Sequence, residues 1–217
     1  MVANQLDGLL IVSIGNPEPW AVGVVLAAFF LLGACASKPP SNTENICRIF
    51  KEKGKWYKAA KKSEKKWGTP VHVQMAIMRQ ESKFQFNAKP PREKKFGFIP
   101  WKRKSSAYGF AQVKDETWKW YKDKSGNRGA DRNDFGDAID FIGWYTNVSQ
   151  KTVGISKWDP YNQYLAYHEG HGGFKRKTYN GKAWLIKVAR NVDQMAREWG
   201  AQLRRCEDDL DDGWWIF

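Results

Sequence analysis

The sequence predicts a single, mainly α-helical globular domain, and three observations favour this class. Apolar side chains recur every third or fourth residue in several segments, which places them on one face of a helix. Segments with the alternating pattern of a strand are weak throughout the 217-residue chain. Hydrophobic residues make up 42% of the chain and aromatic residues 15%, so a sizeable core can form and disorder over most of the length is not expected.

The helices are expected in six segments joined by loops. They cover residues 45–67 with a break at Gly54, a helix from Pro70 that carries Glu81, and residues 115–124, 133–152, 160–170 and 181–206. Thr69-Pro70 and Asp159-Pro160 are typical helix starts, since proline fits the first helical position. Residues 85–104, rich in proline, lysine and aromatic side chains, are expected to form a loop.

The N-terminal segment indicates export and a lipid anchor. Residues 21–34 are apolar and uncharged and end at Cys35, a length that suits a signal-peptide core better than a membrane span. Leu-Gly-Ala before Cys35 resembles a bacterial lipobox, in which the cysteine is lipidated. Residues 1–20 contain no lysine or arginine, unlike the positive start of a signal peptide, so a different translation start and a short membrane anchor both stay open.

The domain organisation follows from these assignments. Residues 1–34 are expected to be a signal peptide with a lipobox, 35–44 a lipid-anchored tether, and 45–206 the folded domain. Residues 207–217 form an acidic and then aromatic tail, which either folds back onto the basic body or is disordered. In a Gram-negative cell, Ala36 and Ser37 after the lipobox cysteine resemble outer-membrane sorting, which predicts the periplasmic face of the outer membrane in the cell envelope.

The remaining cysteines predict a disulfide. If Cys35 carries a lipid, Cys47 and Cys206 are the two that remain. An exported chain with two such cysteines favours a bond between them. Two free buried thiols stay open as the alternative.

The formal net charge of +13 favours an anionic partner: nucleic acid, a membrane surface or an acidic polymer such as cell wall. No nucleic-acid-binding motif is found in the sequence. The export signal also speaks against nucleic acid, so it is not an expected partner.

One glutamate stands on an apolar helix face. Val73, Ile77, Glu81 and Phe84 are spaced so that their side chains form one stripe. Desolvation there would disfavour the charged carboxylate and raise the pKa of Glu81. A carboxylic acid that keeps its proton near neutral pH can protonate a leaving glycosidic oxygen. A salt bridge to one of the many basic residues is the alternative interpretation.

Two further stretches extend the pattern. Ser105 to Val113 reads SSAYGFAQV, with a turn at Gly109 and a polar Gln112. Tyr164 to Gly173 reads YLAYHEGHGG. Glu-Ser, then Gly-x-x-Gln, then Ala-Tyr-x-x-Gly in this order resembles the lytic transglycosylase domain of the goose-type-lysozyme-like group. That family has Glu-Ser on a helix, a Gly-Leu-Met-Gln turn and an Ala-Tyr-Asn-x-Gly helix end. The resemblance covers roughly residues 71–206 and implies a lysozyme-like fold.

The resemblance implies a specific reaction on peptidoglycan. The family cleaves the β-1,4 bond between N-acetylmuramic acid and N-acetylglucosamine and closes a 1,6-anhydro ring. Glu81 would be the one catalytic residue, first as acid and then as base. Tyr167 would orient Glu81 by a hydrogen bond, and Gln112 would bind the sugar or the surroundings of the glutamate. No metal and no cofactor are implied, and a cell-envelope protein complex is a further partner that the resemblance allows.

The chain departs from the family pattern at several positions. The segment 89–104 lengthens the distance from Glu81 to Gln112. It either lines the groove, with Trp101 stacking on a sugar, or forms a solvated flap. Ser105, Ser106 and Tyr108 are the candidates for substrate contacts in the place of a serine that the family has in this region.

Three alternative functions stay open. A hydrolytic muramidase on the same fold would need a positioned water, often held by a second carboxylate, for which Asp131, Asp134 and Asp137 are candidates. A non-catalytic cell-wall-binding lipoprotein is the second alternative. A nucleic-acid-binding protein is the third, and it would require a chain that stays in the cytoplasm.

Overall fold

The computed structural model describes residues 38–103 and 105–212. The predicted signal peptide and Cys35 lie outside this part of the chain. Within it, eight α-helices follow one another along the chain: α1 (Ile46–Glu52), α2 (Gly54–Trp67), α3 (Val71–Ser82), α4 (Asp115–Ser125), α5 (Phe135–Val153), α6 (Pro160–Lys175), α7 (Ala183–Leu203) and α8 (Glu207–Asp211). A 3-10 turn, Thr178–Gly181, precedes α7.

Helix α3 is the centre of the fold. It packs against α2, α5, α6 and α7, and eight of its 12 residues are buried, more than one stripe would hold, while Gln80 is exposed. A helix with most of its side chains buried belongs in a core. The predicted stripe is buried, since Val73, Ile77 and Phe84 are all 0% exposed, but Phe84 lies just beyond the helix end. Lys83 and Phe84 both have positive φ, which ends α3 and turns the Phe84 ring back into the core.

The helix boundaries follow local signals. Asn45, Asp134 and Asp159 accept hydrogen bonds from backbone N–H groups in the first turns of α1, α5 and α6, which satisfies donors that the helix leaves free. Helices α2, α4 and α5 end at glycines with positive φ, the usual residue for that conformation. The expected break in 45–67 is present, with Lys53 between α1 and α2.

The loop expected at 85–104 is wrong in part, because the structure forms a hairpin there. Strands β1 (Arg92–Lys95) and β2 (Ile99–Arg103) pair antiparallel with a bulge near Arg92. Every residue of both strands is exposed. Since neither face of the hairpin is buried, the sequence lacks the alternating apolar pattern by which a strand is recognised.

The residues assigned to the tether are in contact with the body. Ser41 donates two hydrogen bonds to the Glu52 carboxylate, at 2.9 and 2.8 Å. Arg79 of α3 donates to the Thr43 carbonyl at 3.0 Å and pairs with Glu44. The described part of the segment 35–44 is therefore part of the folded domain.

The first half of the tail also folds onto the body. Tyr57 of α2 donates to Asp211 at 2.7 Å, and Lys61 of α2 pairs with Glu207 at 2.7 Å. Helix α8 buries Leu210. These contacts favour the folded-back alternative for residues 207–212.

A disulfide joins Cys47 in α1 to Cys206, and 159 positions separate the two residues along the chain. The bond ties the first helix to the segment that follows the last long helix. Over residues 38–103 and 105–212, no helix has the length and apolar composition of a membrane span.

Candidate active site

A cleft of about 440 Å³ opens above the C-terminal end of α3. Its walls come from the segment 107–117, from α5 and from α6. The lining residues are Glu81, Ala107, Gln112, Val113, Lys114, Thr117, Phe141, Tyr145, Tyr167, His168, Glu169 and Gly170. Three residues predicted from the sequence motifs, Glu81, Gln112 and Tyr167, therefore meet in one place.

Glu81 lies in the last turn of α3, where the buried helix meets the cleft. Its side chain is partly accessible through the cleft and otherwise surrounded by protein. Burial raises the pKa of Glu81 from 4.5 to about 7, against a smaller lowering by a hydrogen bond with Tyr164. The negative end of the α3 dipole also disfavours the carboxylate. A substantial fraction of Glu81 therefore carries its proton at neutral pH.

The hydrogen bond to Glu81 comes from a different tyrosine than the one predicted. The Tyr164 side chain hydrogen-bonds Glu81, whereas the Tyr167 hydroxyl donates to the Ala111 carbonyl at 2.6 Å. Both residues lie on α6, three positions apart and therefore on the same side of the helix. The Tyr167 hydroxyl thus donates to the backbone, and its orienting role towards Glu81 stays a prediction, for which Tyr164 is a second candidate.

Tyr167 instead connects the cleft wall to the turn below it. Its hydrogen bond to Ala111 fixes the residue before Gln112. Burial raises the pKa of Tyr167 well above its ordinary value, and the nearby Glu81 adds to this effect. The phenol is therefore a neutral hydrogen-bond donor at all relevant pH values.

The turn that carries Gln112 requires glycine at position 109. Gly109 has a φ of +76°, and a Cβ there would lie 2.1 Å from the carbonyl oxygen of Arg132. That carbonyl accepts from the Phe110 N–H at 3.1 Å. The Gly109 N–H also donates to the Ala88 carbonyl at 3.0 Å. A side chain at this position would push the turn away from the loop that precedes α5.

Arg132 holds the same turn from the other side. Its guanidinium donates to the carbonyls of Ser106, at 3.2 Å, and Val113, at 3.0 Å. It also pairs with Asp115 at 2.8 Å. Arg132 thus joins both ends of the cleft-lining segment, although it does not itself line the cleft.

Gln112 presents its amide in a fixed orientation. Its Nε2 donates to the carbonyls of Ala88, at 2.8 Å, and Gly109, at 2.9 Å. Its φ of 47° is in the left-handed region. Because the amide nitrogen is used by the backbone, the Oε1 atom is the group of Gln112 that remains available to a ligand in the cleft.

The other predicted substrate contacts lie outside the cleft lining. The Ser105 hydroxyl accepts from the Ala107 N–H at 3.1 Å, and the Ser106 hydroxyl accepts from the Asp115 N–H at 3.1 Å. The Lys89 amino group lies 5.0 Å from the centroid of the Tyr108 ring. Trp101 is on the hairpin and borders a separate shallow hollow. The two serines thus shape the loop, and the prediction that Trp101 lines the groove is not met by this geometry.

Glu169 is a second carboxylate in the lining, but it is held by partners. Lys182 contacts both of its carboxylate oxygens, at 2.7 and 2.9 Å, and Thr178 and His168 contact it as well. Burial of Glu169 favours the neutral form, yet the hydrogen bonds outweigh it and lower its pKa to about 2. Glu169 therefore stays ionised and bound to Lys182.

The three aspartates considered for a hydrolase have structural roles. Asp134 caps α5 through the Asp137 N–H at 2.9 Å. Asp137 accepts from the Asp131 N–H at 2.9 Å and from Asn127 at 2.8 Å, and Asp131 accepts from the Asn133 N–H at 2.9 Å. None of the three is among the described residues that line the cleft.

The histidines near the cleft have other partners than a metal. His171 lies 2.9 Å from the Ser149 hydroxyl and stacks on Tyr145 at 4.6 Å. Burial lowers its pKa. His168 contacts Glu169 and packs edge-on to Trp184 at 5.2 Å. In the described part of the chain, no three His, Cys, Asp or Glu side chains are placed to hold a metal ion.

Sequence reasoning missed Tyr164, Arg132 and the Glu169–Lys182 pair. Tyr164 looks like a core residue in its apolar helix, and its spacing of three from Tyr167 is the one signal that could have identified it. The positions of Arg132 and Lys182 depend on contacts between distant segments, which no local pattern carries.

The comparison with protein families agrees with this geometry. The family model described as Transglycosylase SLT domain matches residues 23–206. The match starts within the predicted signal peptide and ends at Cys206. Searches of the curated proteins and of the solved structures returned no match. The domain of this family is lysozyme-like, so the predicted fold class is confirmed. On the strength of this match and of the cleft built around Glu81, the chain belongs to the transglycosylase SLT domain family, whose lytic-transglycosylase-type function acts on peptidoglycan.

Proposed function

We propose that this protein is a peptidoglycan lytic transglycosylase in which Glu81 alone supplies the acid and the base. It cleaves the β-1,4 bond between N-acetylmuramic acid and N-acetylglucosamine and leaves a 1,6-anhydro end. The single observation that carries the proposal is a buried carboxyl at the floor of the cleft with a pKa raised to about 7.

In the first step, protonated Glu81 donates its proton to the glycosidic oxygen as the bond from C1 of N-acetylmuramic acid breaks. A pKa near the working pH suits a group that must first give and then regain a proton. The N-acetyl group of the sugar stabilises the positive charge that develops at C1. The Tyr164 hydroxyl, whose hydrogen bond lowers the pKa of Glu81, is the group proposed to orient the carboxyl.

In the second step, the Glu81 carboxylate takes the proton of the C6 hydroxyl, and the C6 oxygen closes the ring on C1. Glu81 is protonated again, so the cycle needs no water. A hydrolase would need a positioned water, which a second carboxylate often holds. Among the described lining residues, Glu169 is the other carboxylate, and its pairing with Lys182 favours ring closure over hydrolysis.

Gln112 and Tyr167 are proposed to shape the sugar site. The Gln112 carbonyl oxygen is available to a sugar hydroxyl or N-acetyl N–H, because its nitrogen is held by Ala88 and Gly109. Tyr167 keeps this turn in place through Ala111. The basic character of the chain, at a net charge of +13, favours binding to an anionic wall polymer.

We also propose that the chain is a lipoprotein attached through Cys35. In a Gram-negative cell it would lie on the periplasmic face of the outer membrane, within reach of the peptidoglycan. The lipobox-like sequence before Cys35 and the disulfide between Cys47 and Cys206 support export, since disulfides persist in oxidising compartments.

The test is digestion of purified peptidoglycan by the wild-type chain and by Glu81→Gln, followed by reduction with borohydride and mass spectrometry. We expect soluble fragments whose ends resist reduction, and none from Glu81→Gln. Reducible ends, absent in the variant, would mean that the enzyme is a muramidase. Binding to the wall without any fragments would mean a non-catalytic binding protein.

Glu169→Gln is the matched control for loss of a cleft carboxylate. It removes an ion-paired group that the proposed cycle does not use as acid or base, so 1,6-anhydro products are expected to remain. If Glu169→Gln abolished the products while Glu81→Gln kept them, the assignment of Glu81 would be wrong.

A further inference from the structure

The hairpin of β1 and β2 forms a surface that the cleft does not use. All residues from 91 to 103 are exposed, and none of them lines the cleft around Glu81. The two strands pair with each other and have no extensive contact with any described helix. The hairpin therefore projects from the body.

The tip of the hairpin carries exposed apolar side chains and a backbone conformation that does not stabilise the fold. Lys95 pairs with Ile99, which leaves Phe96, Gly97 and Phe98 as the turn. The two phenylalanines are 76% and 75% exposed. Phe96 has a φ of 54°, a conformation that disfavours residues with a Cβ. An aromatic residue here adds strain and buries little apolar surface, so the stability of the domain does not explain it.

Further apolar side chains follow on one face of the hairpin. Ile99 and Trp101 are two positions apart on β2, so they point to the same side, and they are 42% and 47% exposed. The Lys95 amino group lies 4.5 Å from the Trp101 ring centroid and 5.5 Å from that of Phe96. The Lys95 amino group therefore lies between the aromatic ring at the tip and the one on β2, so that apolar and basic groups alternate along the hairpin.

Basic side chains follow the hairpin from the apolar tip, which Lys95 borders, to the base, where Arg92 pairs with Arg103. Arg92, Lys94 and Lys95 come from β1, and Lys102 and Arg103 from β2, against one acidic residue, Glu93. Three of the basic residues border a shallow hollow of about 350 Å³ beside Trp101 and Pro100. A hollow with several cations fits a phosphate-bearing headgroup.

We propose that the hairpin docks on the surface of an anionic lipid bilayer. Phe96 and Phe98 enter the boundary between headgroups and acyl chains, and the basic side chains contact lipid phosphates. A glycan is the poorer partner for this tip, because residues 96–99 carry no polar side chain for sugar hydroxyls and Trp101, which could stack on a sugar, lies on β2 beyond the turn. The charge pattern and the apolar tip together select the lipid surface.

Docking would set the position of the cleft relative to the bilayer. The hairpin leaves the body between Pro90 and Ser105, in the same segment that brings Ala107 and Gln112 to the cleft. An enzyme held by the hairpin would present its cleft at a fixed distance from the membrane. This inference concerns a different surface and does not rest on the chemistry proposed for Glu81.

The test follows hydrogen–deuterium exchange of residues 92–103 in the full chain, because this readout is specific to the hairpin even if the N-terminus also binds lipid. The chain is mixed with phosphatidylcholine vesicles, with vesicles that contain phosphatidylglycerol, or with soluble peptidoglycan strands. Of the three additions, we expect only the anionic vesicles to slow exchange of the hairpin, and to do so several-fold. The slowing should be smaller at 1 M salt, because the Debye length there is about 3 Å and the attraction between charges is screened.

The variant is Phe96→Asn with Phe98→Ser. Asparagine tolerates the left-handed conformation, so the hairpin should persist and the melting temperature should not fall. We expect the anionic vesicles to lose their effect on this variant. Trp158→Ser, which removes an aromatic side chain that is 70% exposed outside the hairpin, is the matched control and should retain the effect.

Three results would overturn the proposal. Exchange of the hairpin could be the same with anionic vesicles as without lipid, or the double variant could keep the full protection. Protection by peptidoglycan strands and not by vesicles would assign the hairpin to the cell wall. Wall digestion by the double variant is measured in parallel, so that a failure of docking is separated from a failure of catalysis.

Discussion

Replacement of Glu81 by glutamine should stabilise the protein at alkaline pH more than at acid pH. The pKa of Glu81 rises from 4.5 to about 7 on folding because of burial. Between these values the native state binds more protons than the unfolded state, so the wild type loses stability as pH rises through this window. At ~1.4 kcal/mol per pKa unit, ionised Glu81 costs the fold about 3 kcal/mol above pH 7.

Glutamine has the same shape but does not ionise, so Glu81→Gln is free of this cost. The free energy of unfolding is measured by urea denaturation of wild type and variant at pH 4 and pH 8. The difference between the two proteins should increase by about 3 kcal/mol in favour of the variant at pH 8. All other titrating groups are common to both proteins and cancel in this difference. An equal difference at both pH values would refute a raised pKa at Glu81.

The remaining predictions concern the hydrogen bond, the turn and the disulfide. In Tyr164→Phe, loss of the hydrogen bond that lowers the pKa of Glu81 should move the alkaline limb of the pH–rate profile to higher pH; an unmoved limb would contradict that bond. Gly109→Ala should reduce the free energy of unfolding by about 2 kcal/mol more than Gly154→Ala, because both glycines have positive φ but only Gly109 has a backbone carbonyl against it. Equal losses in urea denaturation would contradict the close approach. Reduction of the Cys47–Cys206 bond should lower the free energy of unfolding by about 4–5 kcal/mol, because the bond closes a loop of 159 positions, and it should lower the melting temperature. An unchanged melting temperature would mean that the bond is absent in solution.

The sequence was sufficient for the longer helices, because periodicity and caps depend on their own residues, but α8 was assigned to the tail. Asp134 and Asp159 cap α5 and α6 near the predicted starts. The prediction ended α6 at Gly170, which has φ 72° and ψ 160°, but the helix resumes after this kink and continues to Lys175. A glycine shows where the chain can leave the helix, and it does not show whether the next residues form another turn.

Local sequence patterns could not predict the exposed hairpin of β1 and β2. Strand prediction depends on the contrast between a buried and an exposed face, and β1 and β2 have no buried face. The residues Lys-Pro-Pro at 89–91 also favour a loop interpretation. Pairing of Arg92 with Arg103 is set by the turn between them rather than by a core.

The candidate site was accessible from sequence where a motif marked it. Glu81 and Gln112 stand in short motifs, and both line the cleft. Tyr164 has no such mark, because its partner Glu81 is far away along the chain and a tyrosine in an apolar helix is usually a core residue. Arg132 likewise acts on backbone carbonyls of a different segment. Contacts of this kind become visible only when the packing of the helices is known.

The measurement that tests the central claim most directly is digestion of peptidoglycan in water enriched in oxygen-18. If Glu81 closes the ring with the sugar's own C6 hydroxyl, the terminal muramyl residue gains no heavy oxygen and has a mass one water below the hydrolysed product. Glu81→Gln should yield neither species. Products that carry one heavy oxygen at the new end would mean that water attacks C1, and the single-glutamate transglycosylase account would be contradicted.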